Sequence, residues 1–183
     1  MYAGNSASVF IGNHISYLDI SVIASILQNA SFVAKKDVEG WAVFGFLSKL
    51  QQTAFISRSK EDAAKEKLAL DTMLYNGKNL IIFPEGTSTD GRRVLPFKPT
   101  LFAAFLTPDQ PDLEIQPVSV AYHAPDGMEP RFYGWWGDME FGPHLLRVLS
   151  ARHRGAVRVE FHAPLSVAEF PDRKALARAA EVA

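Results

Sequence analysis

The chain has 183 residues, enough for one domain with a substantial core, and 48% of them are hydrophobic, which excludes disorder as its main state. A formal net charge of -1 offers no field to hold a phosphate backbone, so nucleic acid is not an expected partner. The absence of cysteine removes disulfide scaffolding, thiolate zinc sites and a cysteine nucleophile together.

In chain order, the hydrophobic pattern predicts strands over 8–11, 31–34, 54–56, 79–83, 115–121 and 157–161. Between them it predicts helices over 18–28, 38–50, 60–75, 99–106 and 145–151, with a short polar helix over 174–183. The 60–75 segment sets Leu68, Met73 and Leu74 against Lys60, Glu61, Lys65, Glu66 and Lys67, and stops at Asn76-Gly77. Short apolar runs alternating with amphipathic ones predict an α/β fold, a single domain over 1–183. Two stretches, 84–96 and 124–142, are too rich in Gly, Pro and hydroxyl residues for regular structure. No run approaches the ~18 apolar residues that span a bilayer, and the N-terminus lacks the charged and apolar regions of a signal peptide. The chain reads as soluble, or at most peripheral to a membrane.

The first chemical constellation is Asn13-His14-Ile15-Ser16-Tyr17-Leu18-Asp19. The strand-like Val9-Phe10-Ile11 stops at Gly12, and helical periodicity begins near Leu18. Ser16 with Asp19 three residues on is a capping-box pattern, which predicts Ser16 at the N-cap and Asp19 in the first turn. On one continuous helix His14 and Asp19 would point about 140° apart. With His14 on the turn before the helix, the Asp19 carboxylate reaches back to an imidazole N–H. It then fixes the tautomer and leaves the other nitrogen to take a hydroxyl proton. The plainer readings are a cap residue and a satisfied polar histidine.

The second constellation is Phe83-Pro84-Glu85-Gly86-Thr87-Ser88-Thr89. Leu80 to Phe83 has the composition of a buried strand that Pro84 ends, so Glu85 sits where a parallel strand delivers side chains to a cleft. Gly86 allows close backbone approach, three hydroxyls follow, and Asp90-Gly91 makes a turn presenting Arg92 and Arg93. Such a loop suits an anionic or hydroxylated ligand; the plainer reading is an ordinary polar turn.

Asn-His-x4-Asp followed by Phe-Pro-Glu-Gly-Thr resembles the glycerolipid acyltransferase family, best known for 1-acylglycerol-3-phosphate acyltransferases. Phe32-Val33-Ala34-Lys35-Lys36, Gly45-Phe46 and Phe55-Ile56-Ser57-Arg58 are similar to that family's second block, and Ile115 to Ala121 to its fourth. The resemblance implies a glycerol-3-phosphate acyltransferase-like fold, with a mixed, mostly parallel central sheet flanked by helices. It implies acyl transfer from acyl-CoA or acyl carrier protein to the free hydroxyl of 1-acylglycerol-3-phosphate, giving phosphatidic acid, at the cytoplasmic face of the inner membrane. His14 would deprotonate the hydroxyl and Asp19 would support it. Glu85, Gly86 and Thr87 would bind the glycerol-phosphate part, Arg58 would pair with the phosphate, and Lys35 would assist. No cofactor beyond the thioester co-substrate is implied. No Gly-x-Ser-x-Gly elbow supplies a covalent nucleophile either.

The chain departs from the family pattern in two places. An arginine usually follows Phe-Pro-Glu-Gly-Thr, and Ser88 stands there, so a phosphate site would lean on Arg58 with Arg92, Arg93 or Lys98. Alternatively the acceptor carries no phosphate, as in bacterial members that acylate lyso-ornithine lipid. Relatives also carry an amphipathic or membrane-spanning segment before the first motif. Only twelve residues precede Asn13, so the chain is expected to lack that anchor. A lipid-binding module without turnover and a thioesterase are the readings from other classes.

Three lesser features complete the survey. The apolar stretch 41–47 suits an acyl tunnel, an interfacial contact or ordinary core. Arg147, Arg152, His153, Arg154 and Arg158 form a basic cluster, read first as a solvated helix end and second as a surface for anionic lipid or acyl carrier protein. His123, His144 and His162 lack ligand spacing, so no metal is assigned.

Overall fold

A computed structural model describes residues 9–35, 54–56, 63–106 and 112–183. Among the described residues the strands are β1 (Val9–Gly12), β2 (Ala30–Lys35), β3 (Ala54–Ile56), β4 (Asn79–Ile82), β5 (Glu114–His123), β6 (Ala156–Phe161) and β7 (Leu165–Ser166). The described helices are α1 (Leu18–Ile26), α2 (Ala63–Tyr75), α3 (Phe141–Ser150) and α4 (Arg173–Val182), with short 3-10 turns at Pro99–Phe102 and Val167–Glu169. The strands form one sheet in the order β3-β2-β4-β1-β5-β6, with β7 also on β5. The first five run parallel, and β6 and β7 are antiparallel to β5.

That topology explains where the chemistry lies. β1 and β4 are parallel neighbours in register, Ile11 beside Ile82, so the turns leaving them emerge side by side at the carboxyl edge. β5 pairs with β1 only as far as Val118 and then continues to His123 along β6. At about 3.3 Å per residue, this overshoot carries Tyr122 well past the end of β1.

Both faces of the sheet are covered, as a parallel sheet requires. Val9, Ile11, Leu80, Ile82 and Ile115 face Phe97, Phe102, Phe105 and Leu176. On the other face Phe10, Ile81, Val118 and Val120 meet Ile23, Leu27 and Phe32. Unbroken apolar runs such as Leu80-Ile81-Ile82 follow from this two-sided burial.

Several boundaries differ from expectation. α1 ends at Ile26 because Leu27 turns extended and Asn29 adopts φ 52, one of the few non-glycine residues that tolerate it. α3 begins at Phe141, ahead of the expected start, since Pro143 falls in the first turn where its missing N–H costs nothing. The 99–106 segment forms only a 3-10 turn, and β7 was not expected. α2 ends as its Asn76-Gly77 signal predicts: Gly77 has φ +74, its N–H donates to Leu74 O, and the Lys78 N–H donates to Met73 O. The expected helix over 38–50, the start of the 60–75 helix and the 41–47 stretch lie outside the described residues.

Gly155, in the turn from α3 to β6, has no room for a side chain. A Cβ there would sit 1.9 Å from the His123 carbonyl oxygen and 2.8 Å from the Tyr133 ring. Gly155→Ala is therefore expected to lose stability by about 1–3 kcal/mol, measured by urea unfolding. Unchanged stability would show that the turn relaxes freely.

Candidate active site

The turn from β1 into α1 holds His14 to Tyr17, and Asp19 sits in the first turn of α1. Asp19 has no exposed surface. Its Oδ2 lies 2.8 Å from His14 Nδ1 and accepts the backbone N–H groups of Ile15 at 2.7 Å and Ser16 at 3.0 Å. Its Oδ1 accepts the Tyr122 hydroxyl at 2.8 Å. A carboxylate can only accept, so Nδ1 carries a proton, and in the neutral imidazole Nε2 keeps its lone pair. Nothing bonds Nε2 among the described residues, and the His14 side chain is 20% exposed. This is the arrangement of a general base with an orienting carboxylate.

The expected capping box is half formed. Asp19 reaches back to the Ser16 N–H, but the Ser16 hydroxyl accepts from Leu18 at 3.3 Å, and the N-cap position falls on Tyr17.

The imidazole also packs face to face on Phe83, the residue that follows β4, with ring centroids 4.3 Å apart. Gly12 makes room for that ring: a Cβ there would be 3.2 Å from Phe83 Cε1. Glu85, only 2% exposed, accepts the His14 N–H on Oε1 at 2.6 Å and the Leu95 N–H on Oε2 at 2.7 Å. Burial holds its pKa above the ordinary carboxyl value, and the two amides offset only part of that rise. The Thr89 N–H and hydroxyl both donate to the His14 carbonyl, and the Trp135 N–H donates to the Ile15 carbonyl. Asn13 exchanges two side-chain hydrogen bonds with the backbone of Val120, fastening the turn to β5.

The sequence-predicted residues divide as follows. His14, Asp19 and Glu85 come together, but Glu85 spends both oxygens on backbone amides. It braces the turn from behind, unlike the acceptor contact expected of it. Gly86 adopts φ +69 and donates its N–H to Phe83 O, making the sharp turn after the strand. Thr87 is exposed and Ser88 half-buried on that turn. Arg92 is exposed on the following loop, its N–H on Asp90 Oδ1. It lines a cavity of about 280 Å3 with Arg93, Asn13, Ser119 and His162, and His14 is not part of that lining. Lys35 ends β2. Arg58 lies outside the described residues.

Sequence reasoning gave no role to Tyr122, Phe83 or the Tyr17–His144 pair, and it read the Thr89 hydroxyl as a ligand group where the structure puts it on the His14 carbonyl. Burial and the Asp19 charge push the Tyr122 phenol far above its ordinary value, so it stays a donor. The Tyr17 hydroxyl lies 3.0 Å from His144 Nδ1, and both side chains are buried. Burial raises Tyr17 to about 12. Burial first, then the Arg147 charge, holds His144 below the ordinary imidazole value, against the pull of the Gly134 and Phe132 backbone. Neutral His144 therefore accepts from Tyr17 and ties α3 to the His14 turn.

The chain matches the family model described as Acyltransferase over residues 2–121. It is 48% identical to a lyso-ornithine lipid O-acyltransferase of Rhodobacter capsulatus, over 94% of this chain and 63% of the relative. It is 30% identical to a 1-acyl-sn-glycerol-3-phosphate acyltransferase of Neisseria meningitidis, over 90% of this chain and 62% of the relative. The crystal structure of the 1-acyl-sn-glycerophosphate acyltransferase PlsC from Thermotoga maritima superposes with a TM-score of 0.62 at 20% identity. That superposition covers 98% of this chain and 64% of that one. The chain thus spans just under two thirds of the length of each of these three proteins.

His144 gives the fold a pH dependence of predictable sign. Its native pKa lies below 6.5, so its contribution to stability is complete above that pH and is lost as pH falls toward the native value. Urea unfolding over that acidic range should show a steeper loss for wild type than for His144→Leu, which has nothing to protonate. Parallel curves would contradict the buried neutral imidazole.

Proposed function

We propose that this chain, which belongs to the glycerolipid acyltransferase family, carries an acyl group from a thioester to the free hydroxyl of lyso-ornithine lipid. Acyl transfer is the family's chemistry. The acceptor is the proposal, and the observation that carries it is the 48% identity to a lyso-ornithine lipid O-acyltransferase across 94% of the chain. Ser88 supports it, because the arginine that would suit a phosphate-bearing acceptor is missing after the Phe-Pro-Glu-Gly-Thr motif. The sequence alone favoured lysophosphatidate with lyso-ornithine lipid second, and the relatives reverse that order. The 30% identity to the Neisseria enzyme keeps lysophosphatidate as the second reading.

The chemistry follows from the His14 geometry. Nε2, turned away from Asp19, takes the proton of the acceptor hydroxyl as its oxygen attacks the thioester carbonyl. A C–O bond forms, the tetrahedral intermediate collapses, and the C–S bond breaks. The imidazolium returns its proton to the departing thiolate. Asp19 stabilises the transient imidazolium, and Tyr122 holds Asp19 from its far oxygen. Glu85 and Thr89 act as positioning residues on the backbone of the same turn. Gly86, Thr87 and Ser88 are the groups we assign to the acceptor's polar head, with Arg92 and, as the sequence suggests, Lys35 and Arg58 for anionic charge. The donor is acyl-CoA or acyl carrier protein, and the reaction lies at the cytoplasmic face of the inner membrane.

Purified protein, supplied with acyl-CoA or acyl carrier protein, should acylate lyso-ornithine lipid faster than lysophosphatidate when thiol release is followed with each acceptor. His14→Ala should lower the rate by about 10²-fold or more. Tyr122→Phe, missing one hydrogen bond to a charged group, should cost roughly tenfold. A preference for lysophosphatidate would overturn the acceptor assignment, and equal rates for wild type and His14→Ala would sink the mechanism.

A further inference from the structure

The reaction proposed above needs a lipid surface, and no helix among the described residues is long and apolar enough to cross a membrane. α3 shows how such a surface could be met. Its inner face is fixed: His144, 3% exposed, is bonded to Tyr17, and Val148 one turn later is buried. Its outer face is anomalous. Leu146 is 68% exposed and Leu149 61%, about 60° apart around the helix and roughly opposite the His144–Val148 line. A solvent-facing helix surface ordinarily carries polar residues there, and two leucines side by side are apolar surface with nothing among the described residues to cover it.

The charges that follow them in the chain, as far as Arg158, are of one sign. From Phe141 to Arg158 the chain holds Arg147, Arg152, Arg154 and Arg158, with His153 and no acidic residue, in a protein whose net charge is -1. Arg147 is committed inward, donating to the Phe132 carbonyl and lying over its ring. Arg152, Arg154 and Arg158 are exposed and have no carboxylate partner among the described residues.

We propose that the outer face of α3, with Leu146 and Leu149 and the arginines that follow it, docks this protein on an anionic phospholipid surface. Leucines entering the interface beside arginines at the headgroup level is the amphipathic pattern that binds such surfaces. The Tyr17–His144 bond and the Trp135–Ile15 bond make the docking helix continuous with the His14 turn, so docking brings the base to the source of its acceptor. The proposal rests on a lipid acceptor but is independent of which lipid that is.

Co-sedimentation with vesicles tests it, using phosphatidylcholine alone and phosphatidylcholine mixed with phosphatidylglycerol. Wild type should bind the mixed vesicles and bind pure phosphatidylcholine poorly. Leu146→Asp/Leu149→Asp and Arg152→Ser/Arg154→Ser should each bind the mixed vesicles on the order of tenfold more weakly. Both should keep wild-type rates on acceptor in detergent micelles and lose rate on acceptor in vesicles. Wild-type vesicle binding by both variants would overturn the proposal. So would a change confined to self-association, or to use of acyl carrier protein, with vesicle binding intact. Vesicle binding needs no turnover, so a protein that docks through these residues yet acylates neither acceptor contradicts the reaction and leaves the docking face standing.

Discussion

Two buried carboxylates hold the backbone of one three-residue turn. Glu85 takes the His14 N–H, and Asp19 takes those of Ile15 and Ser16. The carbonyls of the same residues are taken by Thr89, Trp135 and the Asp19 N–H. The turn therefore has no slack, and the His14 ring it presents is gripped at Nδ1 by Asp19 and on one face by Phe83. Burying a carboxylate is costly unless every acceptor site is used. Asp19 has four donors, and losing one hydrogen bond to such a charged group typically costs about 1.5–3 kcal/mol. The energy that makes Asp19 affordable also fixes the imidazole, so stability and orientation are one arrangement here.

The parallel sheet makes the arrangement possible. Residues 14–19 and 83–89 are far apart in the chain, yet β1 and β4 are adjacent and co-directional, so their exits meet. β5 contributes from the other side by overshooting β1, which brings Tyr122 to the far oxygen of Asp19 and Val120 to Asn13. The loop over 130–136 and the start of α3 close the remaining side through Trp135 and His144. Chemistry at the carboxyl edge thus draws one brace from each neighbouring element.

How much of this the sequence disclosed depends on the range of each interaction. The sheet, the sharp stop of α2 and the pairing of His14 with Asp19 were legible, because they follow from periodicity, a local Asn-Gly signal and a spacing of five residues. Glu85 was legible as important and not as a brace, since its partners, the His14 and Leu95 amides, are set by strand order. Tyr122 was hidden for the same reason: nothing beside it in the chain distinguishes it from any tyrosine near a strand end. α3 was placed too late because Phe141 and Gly142 fall in the Gly- and Pro-rich 124–142 stretch, and Pro143 is tolerated in a first turn. The exposure of Leu146 and Leu149 required knowing which helix face His144 and Val148 had claimed.

The central claim is that Asp19 fixes His14 with its proton on Nδ1 and Nε2 bare. Heteronuclear NMR of 15N-histidine-labelled protein reads this directly, at a pH where the imidazole is neutral. Nδ1 should appear as the protonated nitrogen of His14 and Nε2 as the unprotonated one, with the preference relaxed in Asp19→Asn. A neutral His14 carrying its proton on Nε2 in the wild-type protein would contradict the account, because the nitrogen turned toward the acceptor would then have no lone pair to offer.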